Sequence, residues 1–247
     1  MYRIGIDLGG TNIAVGLVDE SMSIIEKQSM PTLSERAPEA IVDDMAELCR
    51  RVAAAKGVPM TEIASVGVAS PGIADDATGR VEYAKNLPFR KFPLAALIRE
   101  RLGNVEVHSA NDANAAAWGE AVAGAAKGTT DSVMITLGTG VGGGVIINNQ
   151  ILTGFNNAGA ELGHIVIAAD GRQCSCGRLG CWEAYSSATA LINMTREKLE
   201  ECRLKGRHTL IEDIARERGK ISGRTACDAM RAGDEAAAEV FRMYVHY

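Results

Sequence analysis

The first residues alternate. Tyr2-Arg3-Ile4-Gly5-Ile6-Asp7-Leu8 places Ile4, Ile6 and Leu8 on one face of a strand, Gly9-Gly10-Thr11-Asn12 breaks the pattern, and Ile13-Ala14-Val15-Gly16-Leu17-Val18 resumes it. That is strand, glycine turn, strand. Ile24-Ile25 predicts a third antiparallel strand. Ile41, Met45, Leu48 and Val52 then recur at helical spacing, so residues 38–56 form a helix closed by Gly57. Ser65–Ala69 is a short buried strand running into a turn at Pro71-Gly72. Leu94, Leu97, Ile98 and Leu102 mark a second helix, and Val105–Ser109 a further strand. Strands alternating with helices define an α/β architecture with a largely covered sheet.

A second unit begins near Asn111. Residues 112–126 are alanine-rich and helical, Ser132–Leu137 is a strand, Gly138-Thr139-Gly140-Val141-Gly142-Gly143-Gly144 is a glycine-rich turn, and Val145-Ile146-Ile147 is the next strand, ending in an Asn148-Asn149 hairpin. The glycines at 142–144 have a second reading, as positions that let a strand pack closely. The plan of the N-terminus is thus repeated, which suggests a duplicated fold closing on one ligand, with domains at 1–111 and 112–247. From about Ala184 the chain is mostly helical. Asp234 reads as an N-cap, followed by the apolar stripe Ala237, Val240, Phe241, Tyr244 and Val245. No glycine, proline or polar tail closes that helix before Tyr247, so the second domain is expected to continue beyond it, the alternative being a helix that frays at a true terminus.

Composition narrows the class. The 247 residues are 47% hydrophobic and 23% charged, within the range of soluble globular proteins. The net charge of −5 disfavours nucleic acid as a partner. No apolar run reaches the roughly 20 residues of a membrane helix, and Met1 leads straight into a strand, with no room for a signal peptide. The expected location is the cytoplasm, with no membrane partner. Thiols stay reduced there, which argues against disulfides. Cys49, Cys202 and Cys227 lie in helical patterns and read as core or surface thiols.

The other three cysteines are different. Cys174, Cys176 and Cys181 fall within eight residues, with His164 just upstream. Three thiolates and an imidazole make a complete tetrahedral set for Zn²⁺, and a closed set is structural because no position remains for a reacting water. Gly177 and Gly180 let the segment turn back on itself.

Two turns carry phosphate chemistry. In Asp7-Leu8-Gly9-Gly10-Thr11, glycine N–H groups can approach phosphate oxygens, the threonine hydroxyl adds a donor, and the aspartate can hold a Mg²⁺-bound water. The sequence is neither a Walker A motif nor a Rossmann fingerprint. A plain β-hairpin is the alternative reading of this turn alone, but Gly138-Thr139-Gly140 repeats it. Asn111-Asp112-Ala113-Asn114 sits at a strand-to-helix junction. Asp112 either caps the helix or faces a ligand beyond the strand ends, where it could accept a proton from an attacking hydroxyl. Glu161, beside His164, and Glu183, two residues after Cys181, are candidates for hydrogen bonds to sugar hydroxyls, as against solvated surface glutamates. His164 has a second ring nitrogen to offer once the first ligates metal.

Together these residues resemble the ROK-family sugar kinases, and among them the bacterial glucokinases. The resemblance runs from the Asp7–Thr11 turn through Asn111–Asn114 and Gly138–Gly144 to the cysteine cluster. It implies an actin-like, ribonuclease-H-like ATPase fold of two α/β domains with the active site in the interdomain cleft. The implied reaction is ATP-dependent phosphorylation of the 6-hydroxyl of a hexose, glucose first, with Mg²⁺. Asp112 matches the catalytic base. Gly72, Asn86, Asn111, Asp112, Glu161, His164 and Glu183 match sugar-binding positions, His164, Cys174, Cys176 and Cys181 the zinc ligands, and Gly9–Thr11 and Gly138–Gly140 the phosphate turns. A homo-oligomer, dimer or tetramer, is implied. Family members continue for about a further fifth of their length, through a strand and glycine pair near the adenosine, and Pro88-Phe89 stands where a tryptophan-containing sequence is common.

Rival readings stay within the same family. N-acetylmannosamine and fructose are alternative hexoses, and a non-catalytic sugar-binding protein is the alternative to an enzyme. Repressors of this family carry a helix-turn-helix domain before the first strand. A strand starting at Tyr2, with acidic charge, sets the expectation of an enzyme.

Overall fold

The computed structural model describes every residue from Met1 to Tyr247. The chain forms two compact units, each discontinuous in sequence: Met1–Met134 with Gly144–Ala160, and Ile135–Gly143 with Glu161–Tyr247.

The first unit is built on strands β1 (Tyr2–Leu8), β2 (Asn12–Val18), β3 (Ile24–Pro31), β4 (Ile63–Ser70) and β8 (Glu106–Asn111), in the order β3-β2-β1-β4-β8. The first three are an antiparallel meander, and β4 and β8 are parallel to β1. Alternation along β1 turns Ile4, Ile6 and Leu8 into one core. Helix α1 (Pro38–Ala55) buries its stripe of Ile41, Met45, Leu48 and Val52 in the same core, and α2 (Leu94–Arg101) adds Leu94 and Ile98. Each such aliphatic contributes about 1.5–3 kcal/mol by leaving water. On the α1 side the sheet is sealed. Gly5 and Gly67, adjacent in register, are exposed on the other. Helix α3 (Asp112–Ala123) follows β8 directly.

A second small sheet, absent from the sequence reading, joins β5 (Ile73–Asp75), β6 (Arg80–Tyr83) and β7 (Arg90–Phe92). Its first turn is local chemistry: Asp75 accepts from the Ala77 and Thr78 N–H groups and the Thr78 hydroxyl, and Gly79 adopts φ +71°. Phe89, in the segment that departs from the family pattern, is wholly buried and stacks on Phe92 with ring centroids 4.5 Å apart.

Strands β9 (Ser132–Leu137), β10 (Val141–Ile147) and β11 (Gln150–Ile151) form a third sheet, with Asn148 and Asn149 at positive φ in the expected hairpin. The glycines at 142–144 are not turn but strand. A side chain at Gly144 would collide with Ala117 and with the Ala113 carbonyl, so the close-packing reading holds there. Strand β9 is an edge, and its apolar residues Val133, Ile135 and Leu137 are exposed.

The rest of the second unit is helical: α4 (Glu183–Ser186), α5 (Ala188–Leu204), α6 (Leu210–Arg218), α7 (Gly223–Arg231) and α8 (Glu235–His246). Asp234 caps α8 by accepting from the Ala237 N–H. Val240 is buried as the stripe predicts, whereas Val245 is exposed. Lys198 on α5 joins Glu239 on α8 at 2.8 Å. Cys49 and Cys202 are buried and Cys227 half-buried, as expected of ordinary thiols. No helix is long and apolar enough to cross a membrane.

Candidate active site

In the first unit the candidate residues gather beyond the carboxyl ends of the parallel strands, where α/β folds place ligands. Register aligns Asp7 with Ala69 and Ala69 with Ala110, so β1, β4 and β8 end together. Asn111 is the N-cap of α3: its side-chain oxygen accepts from the Ala113 and Asn114 N–H groups at 2.9 and 3.1 Å, and its amide donates to the Gly72 carbonyl at 2.9 Å. The cap role therefore belongs to Asn111, not Asp112. The Asp112 side chain opens to solvent, yet enough protein surrounds its carboxylate that desolvation, the largest influence, raises its pKa above the ordinary value. The Ala113 N–H opposes that shift and the negative charge of Asp7 adds to it.

Gly72 has φ +88°, and any side chain there would run into the Tyr83 carbonyl. The small sheet thus explains why glycine follows Pro71. Asn86, in the β6–β7 loop, lies against the first turn: a Cβ on Gly10 would come 2.8 Å from the Asn86 Cβ. Asp7, Gly10, Gly72, Asn86, Asn111 and Asp112 thus belong to one unit, with the turn at Gly9–Thr11 between β1 and β2. In that turn the Gly9 N–H donates to the Asn12 carbonyl, and Thr32, just after β3, takes up the Gly9 and Thr11 carbonyls.

In the second unit the turn at Gly138–Gly140 is bracketed by the α4–α5 segment. Ala188 N–H donates to the Gly138 carbonyl at 2.8 Å, the Thr189 hydroxyl to the Thr139 carbonyl at 2.7 Å, and the Val141 N–H to the Glu183 carboxylate at 3.0 Å. The other Glu183 oxygen accepts from the Ser175 hydroxyl at 3.0 Å. Glu183 therefore ties the cysteine loop to the end of the turn, and a Cβ on Gly140 would strike its carboxylate. Helix α8 steadies this arrangement. Trp182 donates to the Tyr247 carbonyl, Tyr244 donates to the Ser186 carbonyl, and Tyr247 packs on Tyr185. Glu161 is exposed, and its carbonyl accepts the His164 N–H in the 3-10 turn Leu162–His164.

The metal set converges. The ligating atoms of His164, Cys174, Cys176 and Cys181 all lie within 4.8 Å of one another. Cys174 Sγ is 3.6 Å from His164 Nδ1, and Cys176 Sγ is 3.7 Å from Cys181 Sγ. A tetrahedron with Zn–S bonds of about 2.3 Å has edges near 3.8 Å, so the set fits a structural zinc ion. Burial works against charge on Cys176, but hydrogen bonds from the Arg178 backbone and side chain, with those from Cys174 and Cys181, outweigh it and hold the thiol at about 6, within the range of a ready metal ligand. Arg178 also donates to the His164 carbonyl at 3.1 Å, joining the two ends of the ligand set.

Four residues escaped the sequence reading: Thr32, Ser175, Arg178 and Thr189. Ser175 and Arg178 lie inside the cysteine motif and were legible as its non-cysteine polar members. Thr32 is 21 residues from Thr11 and Thr189 is 50 from Thr139, and no local pattern signals either pairing.

A β-β-β-α-β-α-β unit with a glycine–threonine turn between its first strands, joined to a second such turn and a His-Cys₃ cluster, is the actin-like ATPase fold as the ROK sugar kinases build it. The sequence profile described as the ROK family matches residues 3–247, and the chain belongs to that family. It is 42% identical to the glucokinase of Streptomyces coelicolor over 196 residues, which are 79% of this chain and 59% of the relative. With the glucokinase of Thermotoga maritima it shares 39% identity over 235 residues, 95% of this chain and 71% of that one. The crystal structure of a ROK family glucokinase from Streptomyces griseus in complex with glucose and AMPPNP superposes with a TM-score of 0.79 at 36% identity, covering 99% of this chain and 75% of that chain. The chain thus spans about three-fifths of the first of these relatives.

Proposed function

We propose that the protein is an ATP-dependent glucokinase, transferring the γ-phosphoryl group of ATP to the 6-hydroxyl of glucose. The observation that carries this reading is the placement of the Asp112 carboxylate at the carboxyl ends of the parallel strands, beside the Asn111 that caps α3, where burial raises its pKa. The glucokinases of similar sequence, and the glucose and AMPPNP bound to the Streptomyces griseus enzyme, support it.

In this proposal Gly72, Asn86, Asn111, Asp112, Glu161, His164 and Glu183 take the hexose. With His164 Nδ1 on zinc, its Nε2–H is a fixed donor toward a sugar hydroxyl. Asp112 accepts the proton of the attacking hydroxyl while the O6–P bond forms and the bond from phosphorus to the β,γ-bridging oxygen breaks, releasing ADP. The turns at Gly9–Thr11 and Gly138–Gly140 offer backbone N–H groups to the phosphates. Mg²⁺, held through Asp7, would neutralise phosphate charge when bound. His164, Cys174, Cys176 and Cys181 would hold a zinc ion in a structural role, fixing the loop that carries the sugar-binding groups. A functional division at 1–111 and 112–247, a homo-oligomeric state, a cytoplasmic location and the absence of nucleic-acid and membrane partners belong to the same proposal.

An ADP-release assay of the intact protein over glucose, mannose, fructose and N-acetylmannosamine tests the substrate. Glucose should give the highest kcat/KM, and a tenfold preference for another hexose would replace glucose in the proposal. Gly140→Ala should keep the fold yet push Glu183 off the Val141 N–H, weakening glucose binding roughly fivefold, the scale of one lost hydrogen bond to a charged group. Unchanged glucose affinity by calorimetry would remove Glu183 from the sugar site.

A further inference from the structure

A turn that binds phosphate must show N–H groups to the oxygens and keep its carbonyl oxygens away, because a carbonyl repels an anion that an N–H attracts. Both glycine–threonine turns engage carbonyls through a threonine hydroxyl. At the first, the wholly buried Thr32 donates its hydroxyl to the Gly9 carbonyl at 2.7 Å and its N–H to the Thr11 carbonyl at 3.0 Å. Thr32 is itself held: its carbonyl accepts from Arg36 at 2.9 Å, and Arg36 pairs with Asp44 on α1. At the second turn, the Thr189 hydroxyl takes the Thr139 carbonyl and the Ala188 N–H takes the Gly138 carbonyl, while the Gly140 carbonyl accepts the Gly138 N–H at 3.0 Å. The carbonyls so engaged are satisfied within the protein, while no hydrogen bond within the protein takes up the N–H groups of Thr139 and Gly140.

We infer that Thr32 and Thr189 are positioning residues for nucleotide phosphate, Thr32 engaging the Gly9 and Thr11 carbonyls and Thr189 the Thr139 carbonyl so that the turn N–H groups face the ligand. The inference rests on the kinase reading of the two turns. The two threonines come from unlike elements, a strand end and the first turn of a helix, and reach the same result. The Thr32 N–H bond to Thr11 continues the β2–β3 register, so the contact that sheet pairing does not supply is the Thr32 hydroxyl on the Gly9 carbonyl. The side-chain hydroxyl is the part that a merely helical or extended residue would lack.

The test compares Thr32→Val and Thr189→Val with the corresponding serine variants in the intact protein, using calorimetric titration with Mg²⁺-AMPPNP and, separately, with glucose. Valine keeps the shape and removes the donor. Each valine variant is expected to bind AMPPNP about 5- to 10-fold more weakly, with glucose affinity within about twofold of wild type, and each serine variant to recover most of the AMPPNP loss. Thr189 is exposed, so its variant decides the matter even where Thr32→Val disturbs buried packing. Wild-type AMPPNP affinity in Thr189→Val overturns the inference, as does an equal loss of AMPPNP and glucose binding that serine does not repair. A wild-type protein that binds glucose but no AMPPNP overturns the phosphate reading of the turns, and this inference with it.

Discussion

Asp112→Asn is expected to lower kcat by a factor of about 10² to 10⁴, the usual contribution of a general base, while glucose affinity changes less than fivefold. The amide keeps the shape and the hydrogen bond to the Ala113 N–H, seen at 2.8 Å, but cannot accept the proton. The direction of the pKa shift adds a second expectation. The carboxylate must be ionised to act, so wild-type kcat falls as pH drops through the Asp112 pKa. Burial, reinforced by Asp7, places that limb above the value of about 4 for an ordinary aspartate. Asp7→Asn removes the reinforcing charge and should move the limb to lower pH. A kcat profile that is flat from pH 4 to 7, or a near-wild-type kcat in Asp112→Asn, would show that the proton goes elsewhere.

The second large effect concerns the metal. Cys181 is wholly buried, and its loss leaves three ligands. Cys181→Ala is expected to drop zinc content from one ion per chain to near zero and to weaken glucose binding by at least tenfold, because His164 and Glu183 lose the loop that holds them. The cysteine loop reaches Glu183 through the Ser175 hydroxyl, which lies between Cys174 and Cys176 in sequence and donates to its carboxylate. Cys49→Ala, at a buried thiol outside the cluster, should leave zinc content unchanged. Zinc loss by elemental analysis with unaltered glucose affinity would separate the metal from the sugar site.

Local patterns predicted most of this molecule. The alternation of Ile4, Ile6 and Leu8, the stripe on α1 and the Asp234 cap all appear where period and capping rules place them. The metal cluster was legible because its ligands are close in sequence and chemically distinctive. What escaped the sequence reading depends on contacts between distant segments. The β5–β7 sheet has strands of three or four residues, too short for a period to emerge. Gly142–Gly144 resemble a turn in sequence but lie in β10, and Gly144 packs against α3. Asp112 reads as a possible cap of α3, and only the placement of the Asn111 oxygen shows that Asn111 caps the helix instead. Glu183 reads as a sugar ligand or a solvated surface glutamate, and neither reading contains its bond to the Val141 N–H.

The central claim is phosphoryl transfer to the hexose 6-hydroxyl with Asp112 as base. Phosphorus and carbon NMR of a reaction containing the intact protein, Mg²⁺-ATP and uniformly ¹³C-labelled glucose reads it directly. The account predicts glucose 6-phosphate and ADP in equal amounts from wild type, and neither above background from Asp112→Asn. Phosphate on another hydroxyl, ADP formed with inorganic phosphate and no sugar ester, or equal turnover in both proteins would contradict it.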